Sequence, residues 1–160
     1  MISPPLNSTF GKETTTLDRS TVAIDMFIKG YNCAQSILFA FRDESGVPEE
    51  TALKISCGFG AGMGRNGEVC GAVSGGIMVL GMRHGWVTND DRTDKETTYF
   101  KIQELMNQFA LKHGSCKCRD LLNGCDLTTE EGMNSFKEND YLTKVCNKCV
   151  QSVVEILEQI

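Results

Sequence analysis

The chain has no run of lysine or arginine, and its 16 basic residues are outnumbered by 21 acidic ones, giving a net charge of -5. The clustered positive charge that a nucleic-acid backbone requires is missing, so DNA and RNA are excluded as partners. Long hydrophobic runs are missing too. The longest, VCGAVSGGIMVLGM from Val69 to Met82, falls short of the roughly 20 residues that cross a bilayer and reads as a buried helix, so no membrane association is expected. The opening MISPPLNSTFGKETTT has neither a basic start nor an apolar core. A secretory signal is therefore not expected; residues 1–17 read as a flexible polar tail and the protein as cytoplasmic. Alternating apolar and polar residues, the mark of a half-buried strand, do not occur, and no Ser-His-Asp order or carboxylate pair suggests hydrolysis.

Helical punctuation is plentiful. Asp18 to Lys29 puts Val22, Ala23, Met26 and Phe27 on one face before Gly30; Asn32 is an N-cap for a helix running to Ser45, with Gly46 as its stop. Pro48 with Glu49 and Glu50 opens a helix that must end at Gly58, and Asn66-Gly67-Glu68 opens the apolar helix through about Met82. A long helix follows from the TNDD stretch to Lys112-His113-Gly114, with Phe100, Leu105, Phe109 and Leu111 in its body. CRDLL reads as one turn, Thr128 to Glu131 as a capping box, and Tyr141 to Ile160 as a closing helix with Val145, Val150, Val153, Val154 and Leu157 inward. The fold class is all-α: a single-domain bundle of about six helices with a Gly-rich loop, spanning residues 18–160 as one helical redox-type domain. His84 and His113 sit at helix ends and read as capping residues rather than ligands.

With 160 residues and 41% hydrophobic content, the chain can bury a core without disulfide staples. Its eight cysteines, in a chain without an export signal, point to metal binding or redox chemistry. Cys33 and Cys70 fall in the first turns of their expected helices, where backbone N–H groups favour thiolates. Cys116-x-Cys118, Cys125 and Cys146-x-x-Cys149 follow. Together these exceed the four sulfurs that a zinc ion or small iron–sulfur cluster needs.

Between Cys57 and Cys70 the glycines at 58, 60, 62 and 64 alternate strictly. No strand precedes them and no Lys-Ser/Thr follows, so a nucleotide-binding loop is not the expected reading. The loop is either a tight crossing of backbones or a nest of N–H groups aimed at an anionic sulfur site. Gly71, Ala72, Gly75 and Gly76 make a small-residue face for close helix approach, internally or at a dimer seam.

YNCAQ (31–35), GFGAGMGR (58–65), CGAVSGG (70–76), CRDLL followed by Gly124-Cys125-Asp126, and the segment around Cys146 together resemble the C_GCAxxG_C_C family of redox-active proteins. The resemblance implies four family cysteines, here Cys33, Cys70, Cys118 and Cys146, with Cys57, Cys116, Cys125 and Cys149 as additions. It also implies a helical fold like the non-haem part of the split-Soret cytochromes c, which add haem and an iron–sulfur centre. Cys146-Asn147-Lys148-Cys149 is followed by Val150 rather than histidine, so covalent haem is excluded. The dimeric habit of those cytochromes suggests a homodimer.

The function this implies is electron transfer through a small iron–sulfur cluster, expected as [2Fe–2S], held by those four cysteines and exchanging electrons with a redox partner. The glycines at 58, 60, 62 and 64 would let backbone approach the cofactor. Two alternatives stand beside it. In one, a metal-free thiol-disulfide protein uses Cys33 or Cys70 for attack; in the other, a zinc-stabilised module performs no turnover.

Overall fold

The computed structural model describes residues 18–89 and 92–160; the expected polar tail lies outside the described residues. Every regular element among them is helical, as the sequence pattern predicts. Helix α1 (Arg19–Ile28) is capped by the Asp18 carboxylate and stopped by Gly30 at φ +100°. Helix α2 (Cys33–Ala40) carries a full capping box, in which Asn32 accepts from the Gln35 N–H and the Gln35 side chain accepts from the Asn32 N–H. The expected single helix to Ser45 is broken at Phe41, after which the short α3 (Arg42–Ser45) ends at left-handed Gly46. Phe41 is fully buried between the guanidinium groups of Arg19 and Arg83, so core packing overrides continuation of the helix. Helix α4 (Glu49–Cys57) stops at Gly58.

The glycine loop contains a single turn, α5 (Gly60–Met63), and the chain stays left-handed from Ala61 through Arg65, with φ of 54°, 68°, 61°, 67° and 75°. Three of those five residues carry a β-carbon, and each such residue in the left-handed region costs about 1–2 kcal/mol. Strain of that kind persists only where the surrounding structure imposes it.

Helix α6 (Gly71–His84) begins later than its sequence signal, because residues 67–70, with Gly67 left-handed at φ +75°, are hydrogen-bonded to another segment instead of opening the helix at Asn66. They are paired with the segment before α8 (Cys118–Leu121): Val69 bridges Lys117, the Cys70 N–H donates to the Cys116 carbonyl at 2.8 Å, and the Cys118 N–H to the Glu68 carbonyl at 2.7 Å. Helix α7 (Arg92–His113) turns Leu105 and Phe109 inward and leaves Phe100 and Leu111 exposed. Helix α9 (Glu130–Glu138) is capped by Thr129, one residue after the expected Thr128, whose own N–H is turned back onto Asp126. The closing segment starts with a π-helical turn (Leu142–Cys146) and continues as α10 (Asn147–Leu157), burying Val150, Val153, Val154 and Leu157, with Val145 half-buried.

The main core is formed by α1, α2, α6, α7 and α10 around Ile37, Phe41, Val73, Leu80, Leu105, Phe109 and Val153. A smaller cluster gathers Cys118, Leu122 and Leu127 with Phe136, Tyr141 and Cys146 packed against it. The small-residue face of α6 is used inside the chain. A β-carbon at Gly75 would meet α2 at Ala34 and Ile37, and one at Gly76 would meet Leu105 and Val153. The face thus serves the internal contact, and it no longer argues for a dimer seam. No helix among the described residues is long and apolar enough to cross a membrane.

Candidate redox site

Cys33, Cys70 and Cys149 belong to the main core, whereas Cys118 and Cys146 belong to the smaller cluster. A cavity of about 180 Å³ opens at the seam between the two, and all five of these cysteines line it. Phe27, Leu122, Leu127, Phe136 and Leu142 supply its apolar wall, and Asn32 and Ala61 complete it. The four cysteines singled out in the sequence therefore meet in one place, although they come from four separate segments of chain.

Local structure explains each position. Cys33 is the first residue of α2 and Cys70 the N-cap of α6, so both stand before rows of unpaired backbone N–H groups. Cys118 opens α8 and is set beside Cys70 by the short pairing of residues 67–70 with 116–119. Cys146 closes the π-helical turn and Cys149 lies in α10, one turn further on the same side.

The glycines between these cysteines pack against neighbouring chain rather than facing the cavity. A β-carbon at Gly62 would lie 2.6 Å from the Cys118 β-carbon and 2.8 Å from the Glu68 nitrogen; one at Gly60 would run into the Asn32 side chain. Neither glycine lines the cavity, and neither do Gly58 and Gly64. Gly58 has open space where a side chain would go, and Gly64 is the left-handed cap of α5. The loop residue that does reach the site is Ala61, whose N–H is directed at the Cys33 sulfur. Of the two sequence readings of the loop, tight backbone crossing holds at Gly60 and Gly62, and the N–H nest is represented by Ala61.

The sulfurs differ electrostatically. Burial, reinforced by a negative charge on Cys70, pushes the Cys33 thiol up to about 12, against the N–H groups of Ala61, Ala34 and its own backbone. This corrects the expectation that both helix-start cysteines are thiolates: desolvation outweighs the helix end at Cys33. Cys70 shifts the other way. The S–H of Cys149 donates to it, and with the Ala72 and Val73 N–H groups this holds its thiol below the ordinary 9.0 despite burial. Burial, then the charges of Cys70 and its neighbours, raises Cys118 to about 12 and moves Cys146 in the same direction. Cys149 is raised first by its bond to Cys70 and then by burial. Ionisation is thus eased at Cys70 and opposed by burial at the other cysteines of the cavity.

The remaining cysteines lie elsewhere. Cys57 is exposed, the Cys116 S–H donates to the Met106 carbonyl, and the Cys125 S–H to the Gly132 carbonyl. His113 is stacked on Phe109 and bonded to Ser152 at 2.9 Å, away from the cavity. Sequence reasoning missed Cys149 as a member of the site. Its three-residue spacing from Cys146 was the available signal, since that spacing places both on one helix face.

No curated protein and no solved structure matches the chain. The family described as "Putative redox-active protein (C_GCAxxG_C_C)" matches residues 31–160, a span that contains every cysteine of the cavity. The chain belongs to that redox-active family.

Proposed function

We propose that the protein transfers electrons through a small iron–sulfur cluster, [2Fe–2S], held in the seam cavity by Cys33, Cys70, Cys118 and Cys146. The observation that carries this reading is the convergence of these four cysteines on one apolar cavity of about 180 Å³. The donor set is all sulfur, which is what iron–sulfur clusters take. Among the described residues, no group of three or more His, Cys, Asp or Glu side chains is placed to hold a metal ion. When bound, such a cluster supplies a centre that accepts and returns an electron.

The chain's own residues supply the rest of the chemistry. Burial favours the protonated form of Cys33, Cys118 and Cys146, so these thiols would have to give up their protons to hold a cluster. The Ala61 and Ala34 N–H groups at Cys33, and those of Ala72 and Val73 at Cys70, stabilise negative sulfur and would raise the potential of a bound centre. Phe27, Phe136 and Leu142 limit the access of water.

The test is anaerobic purification, or reconstitution with iron and sulfide, followed by visible absorption and iron and sulfide analysis. Coloured protein is expected, with serine at Cys33, Cys70, Cys118 or Cys146 bleaching it and serine at Cys57 leaving it coloured. Wild-type protein that stays colourless and iron-free after reconstitution overturns the reading.

A further inference from the structure

Helix α7 turns one side away from the rest of the described chain. On that side Leu111 is 88% exposed and Phe100 62%, more than any other large apolar residue of the helix. The two are 11 positions apart, about 16 Å along the axis and close to three whole turns, so they share one line. Glu104 and Asn107 lie between them, giving steps of four, three and four residues, the spacing along which two helices pair. Large apolar side chains left in water along such a row mark a surface that something covers.

We propose that this side of α7 is the seam of a homodimer, in which two α7 helices pack antiparallel about a two-fold axis between residues 105 and 106. The pairing does not rest on the cluster, since no residue of the cavity takes part in it. The small-residue side of α6, by contrast, is closed off within the chain.

Charge decides for a second copy. The chain carries a net charge of -5, so most of its surface repels its own kind. From residue 97 to 111 only Lys101 and Glu104 are charged, and they pair with each other at 3.3 Å; Lys112, next in line, is matched to Glu155 at 2.8 Å. This strip is therefore neutral. It gives a strongly charged partner nothing to read, and it is where two copies approach with least repulsion. Orientation follows from Glu104. A two-fold contact repeats itself about its axis, so the antiparallel pair seats Phe100 on the partner's Leu111 at both ends and sets each Glu104 carboxylate beside an Asn107 amide that can donate to it. A parallel pair would oppose the two Glu104 carboxylates. One helix side about 33 Å long and about 10 Å wide falls short of the roughly 800 Å² per partner of a tight complex, so the dimer forms as concentration rises.

Full-length protein, kept reduced so that its eight thiols cannot link chains, is weighed by sedimentation equilibrium from about 5 to about 500 µM. The mass should climb from 17.6 kDa towards twice that value. Phe100→Gln and Leu111→Gln alter exposed positions that folding does not need, and circular dichroism checks that both stay helical. Each should weaken the dimer at least about tenfold, because the two-fold axis makes every change count twice. Leu111→benzoylphenylalanine, irradiated, should give a covalent dimer in which trypsin leaves peptide 102–112 joined to 96–101, the peptide carrying Phe100. Within one helix those positions are about 16 Å apart, too far for the link to form inside a single chain. A mass that stays at 17.6 kDa throughout overturns the proposal and leaves this side of α7 to a different protein. Dimerisation that survives both glutamine substitutions, or a photolink to any other peptide, overturns it as well.

Discussion

A β-carbon added to Gly71 would run into the sulfur of Cys33 and stand 2.9 Å from the Phe59 carbonyl oxygen. The first residue of α6 thus fixes how closely α2 brings its cysteine to the cavity. We expect Gly71→Ala to displace the Cys33 sulfur, abolish cluster colour on reconstitution, and cost about 1–3 kcal/mol from overpacking. Wild-type iron content in a folded G71A protein would show that Cys33 has no part in the site.

Gly76, further along the same helix, provides the control. Its added methyl would meet the Leu105 and Val153 side chains at 2.9 Å, within the main core. Gly76→Ala should therefore lower stability by about 1 kcal/mol, as mild overpacking does, without altering colour or thiol reactivity. Denaturant melts combined with iron analysis separate the two variants.

Gly62 sits at φ +68° with Cys118 behind it. Valine there meets both the steric cost of a left-handed β-branched residue and the contact with Cys118 and the 67–68 backbone. The expected outcome is loss of both stability and the redox site. A G62V protein with a lowered melting temperature but unchanged metal content and thiol reactivity would reduce the loop to a structural role.

Stability of the iron-free protein should fall in alkali. Burial raises the Cys33 and Cys118 thiols from 9.0 to about 12 in the folded chain. Their contribution is complete below the unfolded value and is lost as pH rises through that window, because the unfolded chain ionises first. The slope is up to about 1.4 kcal/mol per pH unit for each thiol. Cys70 has the opposite sign: its lowered value stabilises above the ordinary thiol range and is lost as pH falls through its folded value. With Cys146 and Cys149 also raised, the raised thiols outweigh the one lowered, so urea midpoints from about pH 8 to about pH 11 should decline. Midpoints that are flat or rise over that range would contradict the burial of these sulfurs.

Local signals in the sequence were reliable where the deciding interaction is local. Asp18, Asn32 and Gly46 mark helix ends because capping and left-handed turns involve neighbours within a few residues, and all three act there. Phe41 shows the limit: nothing near it in the chain breaks a helix, and its burial between Arg19 and Arg83 ends α2. The delayed start of α6 has the same kind of cause. Asn66-Gly67 is a competent helix opener, but the hydrogen bonds that residues 67–70 make with 116–119 hold that segment out of the helix.

The site divides along the same line. Sequence by itself determined an all-α chain, because helix starts and stops are written in consecutive residues, and its motifs carried the family resemblance that implied the four cysteines now found lining one cavity. Only the tertiary structure decided that Cys149 joins them, that burial opposes ionisation at Cys33 while hydrogen bonds ease it at Cys70, and that Ala61 rather than a glycine reaches the site. Those outcomes depend on burial, on one sulfur donating to another, and on the angle at which separate helices cross. Desolvation and hydrogen bonding between distant segments exist only once the chain has closed around the cavity.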